Sequence, residues 1–158
     1  MQVTFITVGS LKEKYLVEAI TEYKKRLSIY AKIDDIELKE VKISNEDNTA
    51  EIESALNTEG DKILSRIPDG AYVVALCVEG VALDSIALSS LVGEARDKSG
   101  KICFIIGSSY GLNDRVKNKA DFKLSISKLT YPHQLVRVML YESVYRSFTI
   151  LNGKKYHK

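Results

Sequence analysis

Residues 101–133, KICFIIGSSYGLNDRVKNKADFKLSISKLTYPH, decide the fold of this chain. The run 101–106 is short and apolar and stops at Gly107, a pattern typical of a strand that is covered on both faces. A Gly/Ser-rich turn, a short polar helix and a second short strand follow, and then a loop leads into a long helix. Because ligands bind just beyond the carboxyl ends of strands in open α/β sheets, this turn predicts a small-molecule site, with the loop 126–131 beside it.

Strand and helix patterns alternate along the rest of the chain. Apolar and β-branched runs predict strands over 2–8, 32–43 and 72–78. The second of these carries enough charge to suit a strand near an edge, and Glu79 with Gly80 is expected to end the third. Apolar residues spaced by three or four predict helices over 11–31, 49–67 and 85–98. This order indicates one α/β domain, residues 1–158, with a largely parallel sheet and helices on both faces.

The composition is that of an ordinary soluble globular protein, with 45% hydrophobic and 28% charged residues. The apolar run 3–8 is too short for a signal peptide or a membrane span, so we expect a cytoplasmic protein with no membrane contact. Cys77 and Cys103 have no metal-ligand spacing, which predicts two buried free thiols and no metal site. The nucleotide-binding glycine motifs and the serine-nucleophile elbow are absent from the sequence.

Charge is distributed unevenly along the chain. Residues 115–158 hold ten basic and two acidic side chains, a charge of +8, whereas the first 114 residues hold thirteen basic and nineteen acidic ones, a charge of −6. This asymmetry predicts that the C-terminal part meets a polyanion, for which RNA or DNA is the usual choice. The alternative is that the lysines only solvate the surface.

The last predicted helix, 132–151, carries apolar residues around nearly its whole circumference. A surface helix of a monomer does not have this pattern. The helix is therefore either buried within the domain or packed on a second chain, and its position at the end of the chain favours a homodimer interface.

Three polar features of the C-terminal part are candidates for function. Arg137 falls among apolar residues of the last helix, so its guanidinium needs an acceptor, either in a structural salt bridge or in a bound anion or substrate. His133 at the start of that helix is either structural or catalytic. The tail 154–158 is either a loose end or a nucleic-acid contact in which Tyr156 stacks on a base.

Several segments resemble the ribosomal RNA large subunit methyltransferase H family, the small one-domain branch of the SPOUT methyltransferases. They are FIIGSSYGL (104–112), LSISKLTYPHQLVRVMLYESVYR (124–146) and the closing YHK (156–158). The opening FITVG (5–9) and LKEKY (11–15) also match, so the likeness spans the chain.

This resemblance implies a C-terminal segment threaded as a deep trefoil knot, which topology rules alone would have disfavoured. It further implies a homodimer that binds S-adenosylmethionine within the knot loops and methylates N3 of a pseudouridine in 23S rRNA on the assembled ribosome. Two other readings stay open: a non-catalytic RNA- or ribosome-binding module of the same fold, and an enzyme acting on a small soluble substrate. An enzyme acting on a small soluble substrate would not explain the positive charge of the C-terminal part.

The resemblance also assigns site residues. The implied cofactor-binding positions lie at a strand end, in the Gly/Ser turn and in the second loop: Leu76, Gly107, Ile126, Ser127, Lys128, Leu129, Thr130 and Tyr131. Arg137 would stabilise the developing anion, and the N3 proton would pass to His133, Tyr156 or His157. Ser108 is a departure, because the family usually has a second glycine there, and it bears on how closely a ligand can approach the turn.

Overall fold

A computed structural model describes residues 1–156 and contains five strands and five helices. The strands are β1 (Gln2–Val8), β2 (Lys32–Leu38), β3 (Tyr72–Ala82), β4 (Lys101–Ile106) and β5 (Phe122–Ser125). The helices are α1 (Lys14–Leu27), α2 (Thr49–Leu64), α3 (Ser85–Ser99), α4 (Asp114–Lys119) and α5 (His133–Leu151). Strands and helices alternate along the whole described chain.

The strands form one sheet in the order β2-β1-β4-β3-β5, and every neighbouring pair is parallel. The predicted α/β class with a parallel sheet is confirmed. β2 lies at an edge, as its interspersed charges indicated. Because all five strands point the same way, their carboxyl ends share one edge of the sheet, and the loops that follow them meet there.

Helices cover both faces of the sheet, because successive strand side chains point to opposite sides. On one face α1, α3 and α5 pack over a cluster in which the Phe5 ring stacks on Phe104 at 5.6 Å and on Tyr141 at 3.9 Å between centroids. On the other face α2 and α4 place Ile63 and Val116 against a second cluster. The prediction of helices on both faces is therefore confirmed.

The last helix is built as its sequence indicated. Pro132 precedes the first helical residue, and the helix ends before Asn152 and Gly153, where Gly153 has a positive φ of 63°. Leu140 and Val144 are buried in the core, and α5 packs on both α1 and α3. Burial within the domain thus explains the apolar residues on one side of the helix. Contact with a second chain stays a prediction, as does the knot.

The sequence placed two strand ends wrongly. β2 ends at Leu38 instead of continuing to residue 43. The segment after it leaves the sheet, because the backbone N–H of Val41 donates to the Glu59 carboxylate of α2 at 2.9 Å.

The third strand, in contrast, continues past its expected end. Gly80 lies inside β3, whose pairing with β5 shifts between Leu76 and Val81. A Cβ atom at Gly80 would lie 2.7 Å from backbone atoms of Lys123 and Leu124. Glycine serves here for the close approach of two strands and does not end one of them.

Candidate active site

Three segments at the carboxyl edge of the sheet enclose a cavity of about 360 Å³, here termed the first cavity. They are residues 76–78 of β3, just beyond its last pairing with β4 at Ala75, the turn 107–111 after β4, and the loop 126–132 between β5 and α5. The apolar part of its lining comes from strand ends, loop and helix: Leu76, Val78, Ile106, Leu124, Ile126, Leu129 and Val136. The sequence predicted a small-molecule site beside the Gly/Ser turn, and the structure has a cavity there; that it binds a ligand stays a prediction.

The predicted cofactor-binding residues converge on this cavity. Those that line it are Leu76, Gly107, Ile126, Ser127, Leu129, Thr130 and Tyr131. Lys128 is exposed and does not line it. His133 also lines the first cavity, at the point where the loop 126–132 becomes α5.

The turn 107–111 folds back on itself. The N–H of Gly111 donates to the Ser108 carbonyl at 2.9 Å, and the two residues form an isolated antiparallel bridge. A Cβ atom at Gly107 would lie 2.0 Å from the carbonyl oxygen of Gly111. Since backbone atoms cannot yield by that amount, only glycine allows this turn.

The side chain of Ser108 is held by a buried carboxylate of α2. Its hydroxyl donates to Oε2 of Glu59 at 2.9 Å, and Glu59 is only 3% exposed. The other oxygen of the Glu59 carboxylate accepts the Val41 N–H, so one buried group of α2 holds two segments. Ser108 therefore gives the turn an attachment to α2 that a glycine could not form.

The loop 126–132 is held more loosely. The Ser125 hydroxyl donates to the Ser127 carbonyl at 3.1 Å, and the Ser127 hydroxyl accepts the Leu129 N–H at 2.9 Å. Thr130 is exposed, and Leu129 is 69% exposed although it is apolar and lines the first cavity.

A larger and more polar cavity of about 670 Å³, here termed the second cavity, lies next to the first. The two share Ser109 and His133. The Ser109 hydroxyl donates to the Glu40 carboxylate at 3.1 Å. Atoms of Glu40 and His133 both lie within 3.6 Å of the position that a Cβ atom at Gly9 would take. His133 thus stands at the boundary between the two cavities.

Arg137 is 2% exposed and lines neither cavity. One terminal nitrogen donates to the Gly9 carbonyl at 3.0 Å, and the other donates to Oε2 of Glu37 at 3.1 Å. Within residues 1–156 its Nε has no hydrogen-bond partner. The geometry shows the structural salt bridge that the sequence left open. It ties the first half of α5 to the ends of β1 and β2.

Tyr156 lies against the second half of α5. Its ring meets the Tyr145 ring edge-on at 5.0 Å, the Arg146 guanidinium lies 4.8 Å from its centroid, and its hydroxyl donates to Glu142 at 3.2 Å. Burial and the Glu142 carboxylate raise the pKa of Tyr156 to about 12. Tyr156 lines neither cavity of its own chain. His157, the last catalytic candidate, lies outside the described residues.

Both cysteines are free thiols, as expected. Cys103 is buried in β4, and burial raises the pKa of its thiol to about 12. Cys77 is half-buried and lines the first cavity. Over residues 1–156, no group of three or more His, Cys, Asp or Glu side chains is arranged to hold a metal ion. No helix in the described part of the chain is long and apolar enough to cross a membrane.

A protein-family model described as a predicted SPOUT methyltransferase matches residues 1–157. The chain belongs to the SPOUT methyltransferases. It is 46% identical over 156 residues to the ribosomal RNA large subunit methyltransferase H of Caldicellulosiruptor bescii, covering 99% of each chain. It is also 46% identical over 159 residues to the protein of that name from Bacillus pumilus, covering 100% of each. The predicted membership of the methyltransferase H family is confirmed.

Solved structures of other proteins share the fold. A probable methylase family protein from Haemophilus influenzae superposes with a TM-score of 0.55 at 14% identity, over 99% of this chain and 70% of that one. The tRNA (m1G37) methyltransferase of Aquifex aeolicus gives a TM-score of 0.53 at 15% identity, over 92% of this chain and 70% of that one. At these identities the likeness concerns the fold alone.

Sequence reasoning missed several residues of the site. Cys77 and Val78 directly follow Leu76 at the end of the predicted strand 72–78, and that position was a usable signal. Glu59 and Glu40 carried no signal, because each is one acidic residue among many in a charged stretch. Their partners Ser108 and Ser109 are distant in sequence, and only the fold brings them together.

Proposed function

We propose that this protein transfers a methyl group from S-adenosylmethionine to N3 of a pseudouridine in 23S rRNA of the assembled ribosome, in the cytoplasm. The observation that carries the proposal is the convergence of three separate segments on the first cavity, at the positions where the family resemblance puts the cofactor. Full-length similarity to proteins named ribosomal RNA large subunit methyltransferase H supports the RNA substrate. The basic C-terminal part, with its charge of +8, agrees with a nucleic-acid partner.

The lining of the first cavity fits this methyl donor. Leu76, Ile106 and Ile126 offer apolar surface for an adenine ring, and the turn at Gly107 brings backbone polar groups close to the cavity. When bound, the cofactor supplies a methyl group that the positive sulfonium already activates. The protein then has to orient the target nitrogen and take up its proton.

His133 is the residue best placed to accept the N3 proton, since it lines both cavities. Arg137 fits a less direct role. Its guanidinium is occupied by Gly9 and Glu37, so it places the start of α5, and with it His133, at the end of β1. Stabilisation of the N3 anion by Arg137 would require a nucleotide to displace one of these partners.

Arg137→Gln tests these two roles of the arginine, with Glu37→Gln as the matched control. A direct contact with the anion requires that Arg137→Gln abolishes methylation at unchanged cofactor affinity, while Glu37→Gln keeps most turnover. Equal losses in the two variants would mean that Arg137 acts only through its salt bridge.

We also propose a homodimer in which the tail of one chain reaches the first cavity of its partner. Tyr156 and the two residues after it would then complete the site, which agrees with the finding that Tyr156 lines neither cavity of its own chain. Apolar side chains exposed near the cavity, such as Val78 (77% exposed) and Leu129, are suited to cover by a second chain. Sedimentation measures the dimer, and mixing inactive Gly107→Ala chains with inactive Tyr156→Ala chains should restore activity if the site is shared.

The decisive experiment has two parts. Calorimetry with S-adenosylmethionine measures cofactor binding, and alkylation of Cys77 by iodoacetamide should slow when the cofactor fills the first cavity. Transfer of a labelled methyl group is then compared between ribosomes and free 23S rRNA. Tight cofactor binding without transfer to either substrate would contradict the proposed reaction, and no binding at millimolar cofactor would favour the RNA-binding module.

A further inference from the structure

The second cavity is lined by none of the residues proposed to bind the cofactor, yet it lies beside the first. The two share Ser109 and His133, so a ligand in one faces a ligand in the other. Methyl transfer requires the reacting atoms to come within about 3–3.5 Å, in line with the bond that breaks. A substrate bound in the second cavity would place its reacting atom close to a methyl donor in the first cavity, beside Ser109 and His133, which line both cavities.

The second cavity is lined by groups that bind RNA. Lys12, Lys39 and Lys42 are exposed at its wall, and within residues 1–156 none of the three forms an ion pair with a carboxylate. Free ammonium groups of this kind contact phosphates. Tyr110 supplies a half-buried aromatic ring, on which an unstacked base can lie.

The carboxylates of this cavity offset its lysines only in part. The charge of Glu37 is paired with Arg137, whereas Glu40 accepts the neutral Ser109 hydroxyl, so three lysines face two carboxylates without a cationic partner among the described residues. Glu46 lies near Tyr110, and burial and the Glu46 carboxylate raise the pKa of a phenol that is already neutral near pH 7. The ring therefore presents an uncharged face to a base.

The size of the second cavity suits one nucleotide and its flanking phosphates. Its volume of about 670 Å³ lies within the usual range of small-molecule sites. A base in a stem-loop would have to leave the stack to enter it, as enzymes that modify bases generally require.

From this juxtaposition we propose that the second cavity binds the target nucleotide, with Tyr110 stacking on a base and Lys39 and Lys42 holding its phosphates. The inference rests on the proposed function, because it needs a methyl donor in the first cavity. It adds the residues that hold the RNA, none of which the sequence or the family resemblance singled out.

The test uses full-length protein with purified ribosomes. The variants are Tyr110→Ala and the double variant Lys39→Ala/Lys42→Ala. Tyr15→Ala, an exposed tyrosine of α1, and Lys98→Ala, at the opposite edge of the sheet, are the matched controls. Each protein is measured for melting temperature, cofactor affinity and methyl transfer over a range of ribosome and salt concentrations.

We expect Tyr110→Ala to raise the KM for ribosomes by about 5- to 150-fold, the span of base–aromatic stacking, at unchanged cofactor affinity. The double lysine variant should lower the salt dependence of log KM by about 1 for each lysine that contacts a phosphate. Both control variants should behave as wild type.

Wild-type KM in both variants would overturn the inference while leaving the proposed function intact. A fall in kcat at unchanged KM in Tyr110→Ala would also overturn it, and would mean that Tyr110 affects the transfer step without holding the RNA. If the wild-type protein itself binds no cofactor and transfers no methyl group, the proposed function fails, and this inference fails with it.

Discussion

The two loops that enclose the first cavity are held in opposite ways. In the turn 107–111, Gly107 and Ser108 are buried, the backbone closes on itself, and the Ser108 hydroxyl is bonded to a buried carboxylate. In the loop 126–132, Leu129 and Thr130 are exposed, and the hydrogen bonds noted above run between near neighbours in sequence. The turn 107–111 is therefore anchored to the core, whereas the loop 126–132 is held mainly by hydrogen bonds between its own residues.

This difference separates the tasks of the two walls. An anchored turn is already ordered, so it loses little conformational entropy when a ligand binds. It can therefore present a fixed binding surface to the ligand. A loop with few buried contacts belongs to the part of a protein that opens at low cost, which suits the entry and release of a cofactor. Changes at Gly107, the buried residue of the turn that lines the cavity, should therefore affect stability and cofactor binding together, and changes at exposed loop residues that line the cavity should affect cofactor binding alone.

The largest effect is expected for Gly107→Ala. The added Cβ would meet the Gly111 carbonyl oxygen at 2.0 Å, so the turn must open. We expect the free energy of unfolding to fall by about 3 kcal/mol and cofactor binding to be lost. Urea unfolding and calorimetry measure the two changes.

Gly70→Ala is the matched control for that substitution. Gly70 has a φ of +70° but nothing within 4 Å of its Cβ position, so only backbone strain of about 1–2 kcal/mol applies. If Gly107→Ala were no more destabilising than Gly70→Ala, the turn would not be anchored as described.

An intermediate effect is expected at the carboxylate beneath the turn. Glu59→Ala leaves the Ser108 hydroxyl and the Val41 N–H without their acceptor, at a cost of about 2–3 kcal/mol. Ser108→Ala removes one of the two bonds and should cost about 1 kcal/mol. Because the residues share a bond, the double variant should be less destabilised than the two single variants combined. Full additivity in urea unfolding would show that Glu59 does not hold the turn.

The fold could be predicted from the sequence because its central strands β1 and β4 are buried on both faces. Runs such as residues 101–106 have no other simple interpretation, and β1 and β4 have the predicted bounds. The failures occurred where tertiary contact overrode local pattern. Val41 looked like a strand residue but is drawn out of the sheet by Glu59, and Gly80 looked like a strand end but permits close packing against β5.

The candidate site could be predicted only in part. Its position followed from the carboxyl-edge rule, and its residues followed from the family resemblance. The supporting contacts could not be predicted, because Glu59 and Ser108 are 49 positions apart and Arg137 and Gly9 are 128 positions apart. Spacing within one helix or strand says nothing about such pairs, which depend on how the sheet brings its loops together.

The smallest effect on stability is expected in the loop, at Leu129→Ala. The side chain is 69% exposed, so its removal should change the free energy of unfolding by less than about 0.5 kcal/mol. It also lines the first cavity, and burial of a leucine side chain against a ligand contributes on the order of 1 kcal/mol when it is partial. Cofactor affinity should therefore fall about fivefold at unchanged melting temperature. Lys128→Ala, the exposed neighbour that does not line the cavity, should change neither quantity. A loss of stability in Leu129→Ala comparable with that of Glu59→Ala would mean that both walls are anchored, and the division of tasks between them would have to be abandoned.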